Sequence, residues 1–152
     1  MKAKRVISAS SSRFSAQIFN IITVIVMLIS LSALLLGKLL VSPKIGFLPL
    51  VLSLPPIMIW LGASMFVYAS IAHHPNALTA HYNKWAGYRY YGVMGTLMVF
   101  GQPLYDLLRG WQGLMLVLGL AVVIIVPWAL YDIYRAAREP WQDMTIEVAI
   151  NE

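Results

Sequence analysis

Four long uncharged stretches alternate with short polar segments along the chain, and an ionisable residue bounds each stretch at both ends. The stretches are residues 14–37, 45–72, 90–105 and 110–131. A helix needs about 20 predominantly apolar residues, each rising about 1.5 Å, to cross about 30 Å of hydrocarbon. Because the first, second and fourth stretches reach this length, the pattern predicts transmembrane helices there.

The third stretch decides between two membrane topologies. Its 16 residues form about 24 Å of helix, which suits a re-entrant segment, whereas extension to Arg89 and Arg109 gives about 31 Å and a full span. With four spans, eight Lys and Arg residues lie on the membrane side that holds both termini and three lie on the other side. With three spans, seven lie on one side and four on the other. Because positive charge concentrates on the cytoplasmic side, the sequence predicts an all-α, four-span helical bundle with both termini cytoplasmic. Three spans plus a re-entrant segment is the alternative.

The predicted spans belong to a single membrane domain, residues 1–152, and cover about residues 15–37, 48–72, 89–109 and 111–134. Pro55 and Pro56 predict a kink within a continuous second span. Small residues four apart predict places where two helices approach closely. Two such pairs are Ala33 with Gly37 and Gly92 with Thr96.

The segment "AHHPNALTAHYNKW", residues 72–85, separates the second and third stretches and contains all three histidines. Pro75 suits the first turn of a new helix. After it, Tyr82, Trp85 and Arg89 recur at spacings of three and four, which places them on one helical face. Since aromatic rings are also concentrated here, as at a membrane–water interface, the sequence predicts a short amphipathic surface helix over residues 75–87.

The C-terminal tail, residues 140–152, ends in a strictly alternating pattern. Every second position from 144 onward is apolar, and these residues are Met144, Ile146, Val148 and Ile150. Such period-two patterning predicts a half-buried strand, but a lone strand is not stable by itself. The four apolar residues are therefore candidates for docking to a partner's sheet, and a frayed terminus is the alternative.

Composition supports a membrane protein and excludes several kinds of site. The chain is 60% hydrophobic and only 11% charged, whereas soluble domains carry roughly 25% charged residues. The absence of cysteine excludes disulfides, thiolate metal sites and cysteine nucleophiles. The net charge of +5 does not indicate nucleic-acid binding, because the basic residues flank the apolar stretches. The expected location is the cell inner (cytoplasmic) membrane, with several spans.

Candidate chemistry is sparse. No Asp, Glu, Lys, Arg or His lies within the four stretches, which argues against a proton relay, an ion-coupled transporter or a haem held inside the bundle. The histidines lack a metal-binding spacing, so neither a metal nor a cofactor is predicted. A weaker hypothesis is an interfacial pocket for a lipid headgroup or a quinone, in which aromatic rings stack and Arg binds oxygens. Its candidate residues are His74, His81, Tyr82, Trp85 and Arg89.

Three functions remain open from the sequence. The first is an accessory, assembly or interaction subunit of a larger membrane complex, whose partners are the bilayer and other subunits or a second copy. The alternatives are a small oligomeric transporter or channel, with hydroxyl residues along its path, and a lipid- or quinone-contacting redox subunit. No catalytic motif is present, so the chain alone is not expected to be an enzyme.

Overall fold

The computed structural model describes residues 2–40 and 43–149, which form four long helices and a two-stranded sheet. The helices are α1 (Ala9–Leu40), α2 (Leu48–Ala72), α3 (Ala77–Leu107) and α4 (Trp111–Arg138). The strands are β1 (Lys2–Ile7) and β2 (Met144–Ala149), and a single 3-10 turn, Pro43–Ile45, follows α1. The all-α class predicted from the sequence is confirmed, with one small sheet added at the chain ends.

Helix α1 is the centre of the bundle. It contacts each of the other three helices, most extensively α2 and α4. Its buried positions recur every three or four residues, as helix geometry requires for one inward face. They include Ser12, Ala16, Phe19, Thr23, Met27, Ser30, Leu34 and Gly37. The close approach predicted at Gly37 is present, since a Cβ added there would lie 2.8 Å from Pro49 Cα in α2.

The outer surface of the bundle is apolar. Large side chains such as Phe66, Ile59 and Val123 are 81%, 72% and 66% exposed, which is costly in water and expected against lipid. Within the described part of the chain, three helical segments are long and apolar enough to cross a membrane: Ala9–Leu40, Leu48–Ile71 and Gln112–Arg138. A helical membrane protein is therefore confirmed, with candidate spans at the first, second and fourth stretches. Helix α3 is less apolar than these three.

Helix α2 runs unbroken through Pro55 and Pro56. Each proline removes one backbone donor and leaves a carbonyl in the preceding turn without its helical partner. In that turn, Ser53 donates from its hydroxyl to the Leu50 carbonyl at 2.7 Å, and Ser30 of α1 donates to the Ser53 carbonyl. The hydrogen bond from Ser30 ties α2 to α1 next to the two prolines.

The structure corrects the prediction of a separate surface helix over residues 75–87. These residues enter α3, which continues without interruption to Leu107. The start at Ala77 is well defined, because Asn76 Oδ1 accepts from the backbone N–H groups of Leu78 and Thr79 at 3.0 and 3.1 Å. The change from polar to apolar composition near residue 89 resembled a boundary, but no proline or cap interrupts the helix there. Part of the amphipathic face packs inward, with Tyr82 against Ala16 and Ala136, while Trp85 stays more than half exposed.

The alternating tail pairs with the protein's own N-terminal segment. Strands β1 and β2 are antiparallel, with Ile7 opposite Met144 and Lys2 opposite Ala149. At the base of this β-ribbon, the Ala9 backbone N–H donates to Asp143 Oδ1 at 2.7 Å. The alternating pattern predicted docking of the tail to a partner's sheet, and this is corrected, because the basic segment before the first span supplies the neighbouring strand. Among the predicted docking residues, Ile150 lies outside the described residues.

Candidate functional site

A groove of about 500 Å³ lies between the start of α3 and the end of α4. Four of the five residues proposed from sequence lie in its wall: His81, Tyr82, Trp85 and Arg89. The fifth, His74, lies in the loop before α3 and does not line it. The remaining lining residues are Tyr88, Trp128, Tyr131, Asp132 and Arg135. This set of nine residues is called the aromatic groove below.

Helix periodicity and helix pairing together build the aromatic groove. On α3, residues 81, 85 and 88 recur every three or four positions and therefore share one face. On α4, residues 128, 131 and 135 do the same. Since α3 leads away from this end of the bundle and α4 returns to it, the first turns of α3 lie beside the last turns of α4.

An ion pair joins the two walls of the aromatic groove. Arg89 Nη2 lies 2.5 Å from Asp132 Oδ2, and the two side chains are only 18% and 14% exposed. The Arg89 guanidinium also lies 6.0 Å from the centre of the Trp128 ring, within the range of a cation–π interaction. Asp132 therefore neutralises Arg89 and ties α3 to α4.

A second polar cluster closes the end of the aromatic groove nearest the chain termini. The Tyr82 hydroxyl donates to Glu139 Oε1 at 2.8 Å, and Arg135 Nε lies 3.6 Å from the same oxygen. Burial is the main cause, and the hydrogen bond to Glu139 the second, of a rise in the pKa of Tyr82 to about 12. Tyr82 thus remains a protonated donor at neutral pH. Trp141, beyond α4, donates to the Ala136 carbonyl at 2.6 Å and covers the outer side of Tyr82.

Four half-exposed aromatic side chains form the rim of the aromatic groove. Trp85 and Tyr88 pack edge-to-face at a centroid distance of 6.1 Å on α3, and Trp128 and Tyr131 do so at 6.3 Å on α4. Each of the four is more than half exposed. Rings with an apolar body and a polar edge favour the boundary between hydrocarbon and headgroups. The rim therefore has the chemistry of a membrane–water interface.

A second groove lies between the same two helices, about one to two turns further into the bundle. It encloses about 490 Å³ and is almost entirely apolar. Its lining residues are Gly92, Val93, Thr96 and Leu97 on α3 with Val117, Leu120, Ala121 and Ile124 on α4. Because these positions continue the i, i+3, i+4 series of the aromatic groove, the two grooves lie on one side of the α3–α4 pair. This set is called the apolar groove below.

His74 has a local structural role. Its Nδ1 accepts a hydrogen bond from the Asn76 backbone N–H at 3.2 Å, which requires that nitrogen to be unprotonated. Burial lowers the pKa of His74 below its usual 6.5. Among the described residues, no three His, Asp or Glu side chains are grouped closely enough to hold a metal ion.

The α4 wall was missed in the sequence analysis. Asp132 and Arg135 were not among the candidate residues, and Trp128 and Tyr131 were not connected to the segment before span three. A usable signal was present, because aromatic and charged residues recur every three or four positions at the end of the fourth stretch. What the pattern lacked was the identity of the neighbouring helix.

Comparison with protein-family models, curated proteins and solved structures finds no match for this chain. Inference about function therefore rests on the chemistry of the grooves and on the arrangement of the helices.

Proposed function

We propose that this protein is a four-span membrane protein that binds an amphiphile, with the polar head in the aromatic groove. The observation that carries the proposal is the gathering of four half-exposed aromatic rings and two arginines in one groove between α3 and α4. Aromatic faces stack on planar or aliphatic groups, and guanidinium groups donate to headgroup oxygens. Concave sites that combine apolar walls with a few convergent polar groups are the usual form of small-molecule sites.

The proposed topology has both termini in the cytoplasm and all four helices across the inner membrane. Pairing of β1 with β2 supports it, because it holds the two chain ends at the same end of the bundle. In this topology eight Lys and Arg residues flank the bundle at that end and three at the other. The aromatic groove then lies at the cytoplasmic headgroup level.

The burial pattern of α3 supports its crossing despite its lower hydropathy. Two polar side chains near its start, Thr79 and Asn83, are fully buried inside the bundle. Thr79 donates to the Ser12 carbonyl of α1 at 3.0 Å. The exposed side of its second half is apolar, with Val99 at 73% and Leu107 at 76% exposure. Burial of polar side chains near the start of the helix and exposure of apolar ones in its second half suit a lipid surround.

The test is the amphiphile that the protein retains when it is purified in mild detergent. We expect Trp85→Ala with Trp128→Ala to lower the retained lipid or quinone several-fold, because both changes remove rim rings without unpairing a charge. The matched control is Tyr134→Ala, which removes a half-exposed ring of α4 that does not line the groove. Native mass spectrometry of the three proteins gives the readout. An identical profile of bound molecules in all three would refute the proposal.

A second candidate function is the accessory or interaction subunit, and the β-ribbon favours it. Its face with Ile7, Met144, Ile146 and Val148 is only partly covered, and within residues 2–40 and 43–149 neither strand has a second strand partner. An isolated two-stranded ribbon is marginally stable in water, so docking would stabilise it. Deletion of residues 143–152 should then weaken co-purification with partner subunits. Thr145→Asp, on the opposite face of the ribbon, is the control and should leave co-purification unchanged. Unchanged recovery of partner subunits with the deletion variant would contradict this role.

The remaining alternatives receive less support. The hydroxyls proposed for a channel path mostly bond to backbone within their own helix: Ser64 donates to the Leu61 carbonyl at 2.9 Å and Thr96 to the Gly92 carbonyl at 2.7 Å. A redox role stays a prediction, and an absorption spectrum of the purified protein tests it. Flux through liposomes that contain this protein alone tests the transporter.

A further inference from the structure

We infer that the amphiphile is an anionic phospholipid, with its phosphate at Arg135 and one acyl chain in the apolar groove. This inference rests on the proposed function and names the class of ligand that the site takes. Three features carry it: the distribution of charge in the aromatic groove, the availability of Arg135, and the alignment of the two grooves.

The charge of the aromatic groove favours an anion. Its lining contains two arginines and one carboxylate, and that carboxylate, Asp132, is already paired with Arg89. Arg135 has no acidic partner within the lining, because its own partner, Glu139, lies outside the groove at 3.6 Å. A quinone carbonyl can accept a hydrogen bond from this guanidinium group, whereas an anionic phosphate also gains from the opposite charge and can accept through two oxygens.

Arg135 has donors available for a ligand. Its side chain is 58% exposed, and the ion pair found for it in the described structure runs from Nε to Glu139 at 3.6 Å. Glu139 also accepts a hydrogen bond from Tyr82, so its negative charge is shared between two partners. A guanidinium group has five N–H donors in a planar fork, and its outer edge fits two oxygens of a phosphate.

The apolar groove has the place and the lining expected for an acyl chain. It follows the aromatic groove along the same face of α3 and α4, toward the middle of the bundle. From residue 85 to residue 97, α3 rises about 18 Å, the length of roughly 14 methylene groups in an extended chain. Gly92 leaves this path open, since a Cβ added there would meet no atom within 4 Å. Inorganic phosphate has no apolar part that could occupy the apolar groove.

The experiment measures selectivity among defined lipids. Wild-type protein in detergent is mixed with equal amounts of phosphatidylglycerol, phosphatidylcholine and a long-chain quinone, and retained molecules are counted by native mass spectrometry. We expect a preference of about tenfold for phosphatidylglycerol over phosphatidylcholine, as one charge-assisted hydrogen-bonded contact supplies. Arg135→Gln should abolish the preference while leaving total binding within about twofold. Arg138→Gln, which removes a neighbouring cation that does not line the groove, should keep it.

A second variant tests the chain. Gly92→Leu fills the apolar groove and should reduce retention of both phospholipids by about tenfold, because burial of a large part of an acyl chain is lost. The control is Gly62→Leu, since Gly62 of α2 also has open space around it but lies outside both grooves. Both leucines suit a helix, so loss of folding is not expected.

The outcomes separate the inference from the proposed function. Unchanged selectivity in Arg135→Gln, or preferential retention of the quinone by wild type, overturns the anionic phospholipid while amphiphile binding stands. Displacement of phosphatidylglycerol by millimolar inorganic phosphate also overturns it, because the ligand would then be the soluble anion. If Gly92→Leu and the rim variants all retain the wild-type complement of amphiphiles, the proposed function itself fails.

Discussion

The Arg89–Asp132 contact shows why a charged residue can lie at the edge of a membrane span without marking an ion path. Both side chains are mostly buried, and each is neutralised by the other across the α3–α4 interface. The pair costs desolvation energy, which close contact offsets only while both partners are present. Its removal therefore has different consequences when one residue or both are changed.

We predict that Asp132→Ala destabilises the protein by roughly 2–3 kcal/mol, because it leaves the Arg89 guanidinium unpaired in a poorly hydrated site. The double variant Arg89→Met with Asp132→Ala should lose less than Asp132→Ala alone. Unfolding of the detergent-solubilised protein, followed by circular dichroism against denaturant, provides the comparison. If the double variant is less stable than Asp132→Ala, then the unpaired Arg89 guanidinium is not what destabilises the single variant.

A second prediction at this scale concerns Gly37. Because an added Cβ would lie 2.8 Å from the backbone of Pro49, Gly37→Ala should destabilise the packing of α1 on α2 by about 1–3 kcal/mol. Gly92→Ala is the matched control, since no atom lies within 4 Å of the added Cβ, and it should be neutral or slightly stabilising. The same unfolding measurement applies. Equal stability of the two variants would show that α1 and α2 can separate there at no cost.

Single residues were predictable from the sequence to the extent that helix periodicity determines them. Tyr82, Trp85 and Arg89 were named together because residues three and four apart share a face, and His81 was added for its hydrogen-bonding chemistry. Their partners Asp132 and Arg135 were not, since helix pairing depends on which helices are neighbours. Equally, spacing could not distinguish Gly37, packed against Pro49, from Gly92, which opens onto a groove.

At the scale of elements, the sequence predicted long helices more reliably than their boundaries. Apolar length identified α1, α2 and α4 as candidate spans, because lipid exposure requires a continuous apolar run. The first half of α3 was taken as a separate surface helix because its composition is polar. In the structure one face of this segment is buried against α1 and the end of α4, so its polar composition alone did not show that it packs inside the bundle.

The β-ribbon was only half predictable. Alternation in residues 143–152 predicted a strand, whereas residues 2–7 combine cations with few apolar positions and resembled a membrane flank. Long-range pairing joins the two across almost the whole chain, and no local pattern reports it. A strand of marginal propensity forms because a complementary edge is held next to it by the helices.

We predict that the ribbon register can be fixed by a disulfide in this naturally cysteine-free chain. Ala3 lies opposite Val148, so Ala3→Cys with Val148→Cys should cross-link readily under mild oxidation. Ala3→Cys with Glu147→Cys places the thiols on opposite faces and should cross-link poorly. A protease site is introduced in the α2–α3 loop, and the cut protein is run on a non-reducing gel. A cross-linked pair keeps the two fragments in one band, whereas an unlinked pair gives two bands. Equal cross-linking of both pairs would contradict the register.

At the scale of the whole molecule, the question is whether α3 crosses the membrane. Its lower hydropathy argues against a crossing, and the pairing of the two chain ends argues for one. An even number of crossings returns the C-terminus to the side of the N-terminus, and antiparallel β1 and β2 meet there. With three crossings the C-terminal end of α4 would lie on the side opposite β1, so the pairing of β1 with β2 supports the proposed four crossings. Packing thus carries information about topology that hydropathy alone does not.

We therefore predict that positions 4 and 147 lie on one side of the membrane and positions 44 and 107 on the other. Single cysteines at these four sites, all in exposed residues, can be labelled with an impermeant maleimide in right-side-out and inverted vesicles. Labelling of 4 and 147 only in inverted vesicles, and of 44 and 107 only in right-side-out vesicles, is the expected result, because the side of the termini collects the most Lys and Arg. Lys84→Cys is the internal control, since it lies near the start of α3 and should be labelled in the same vesicles as position 4. Labelling of 107 together with 4 would mean that α3 does not cross, and the aromatic groove would then have to be placed differently in the bilayer.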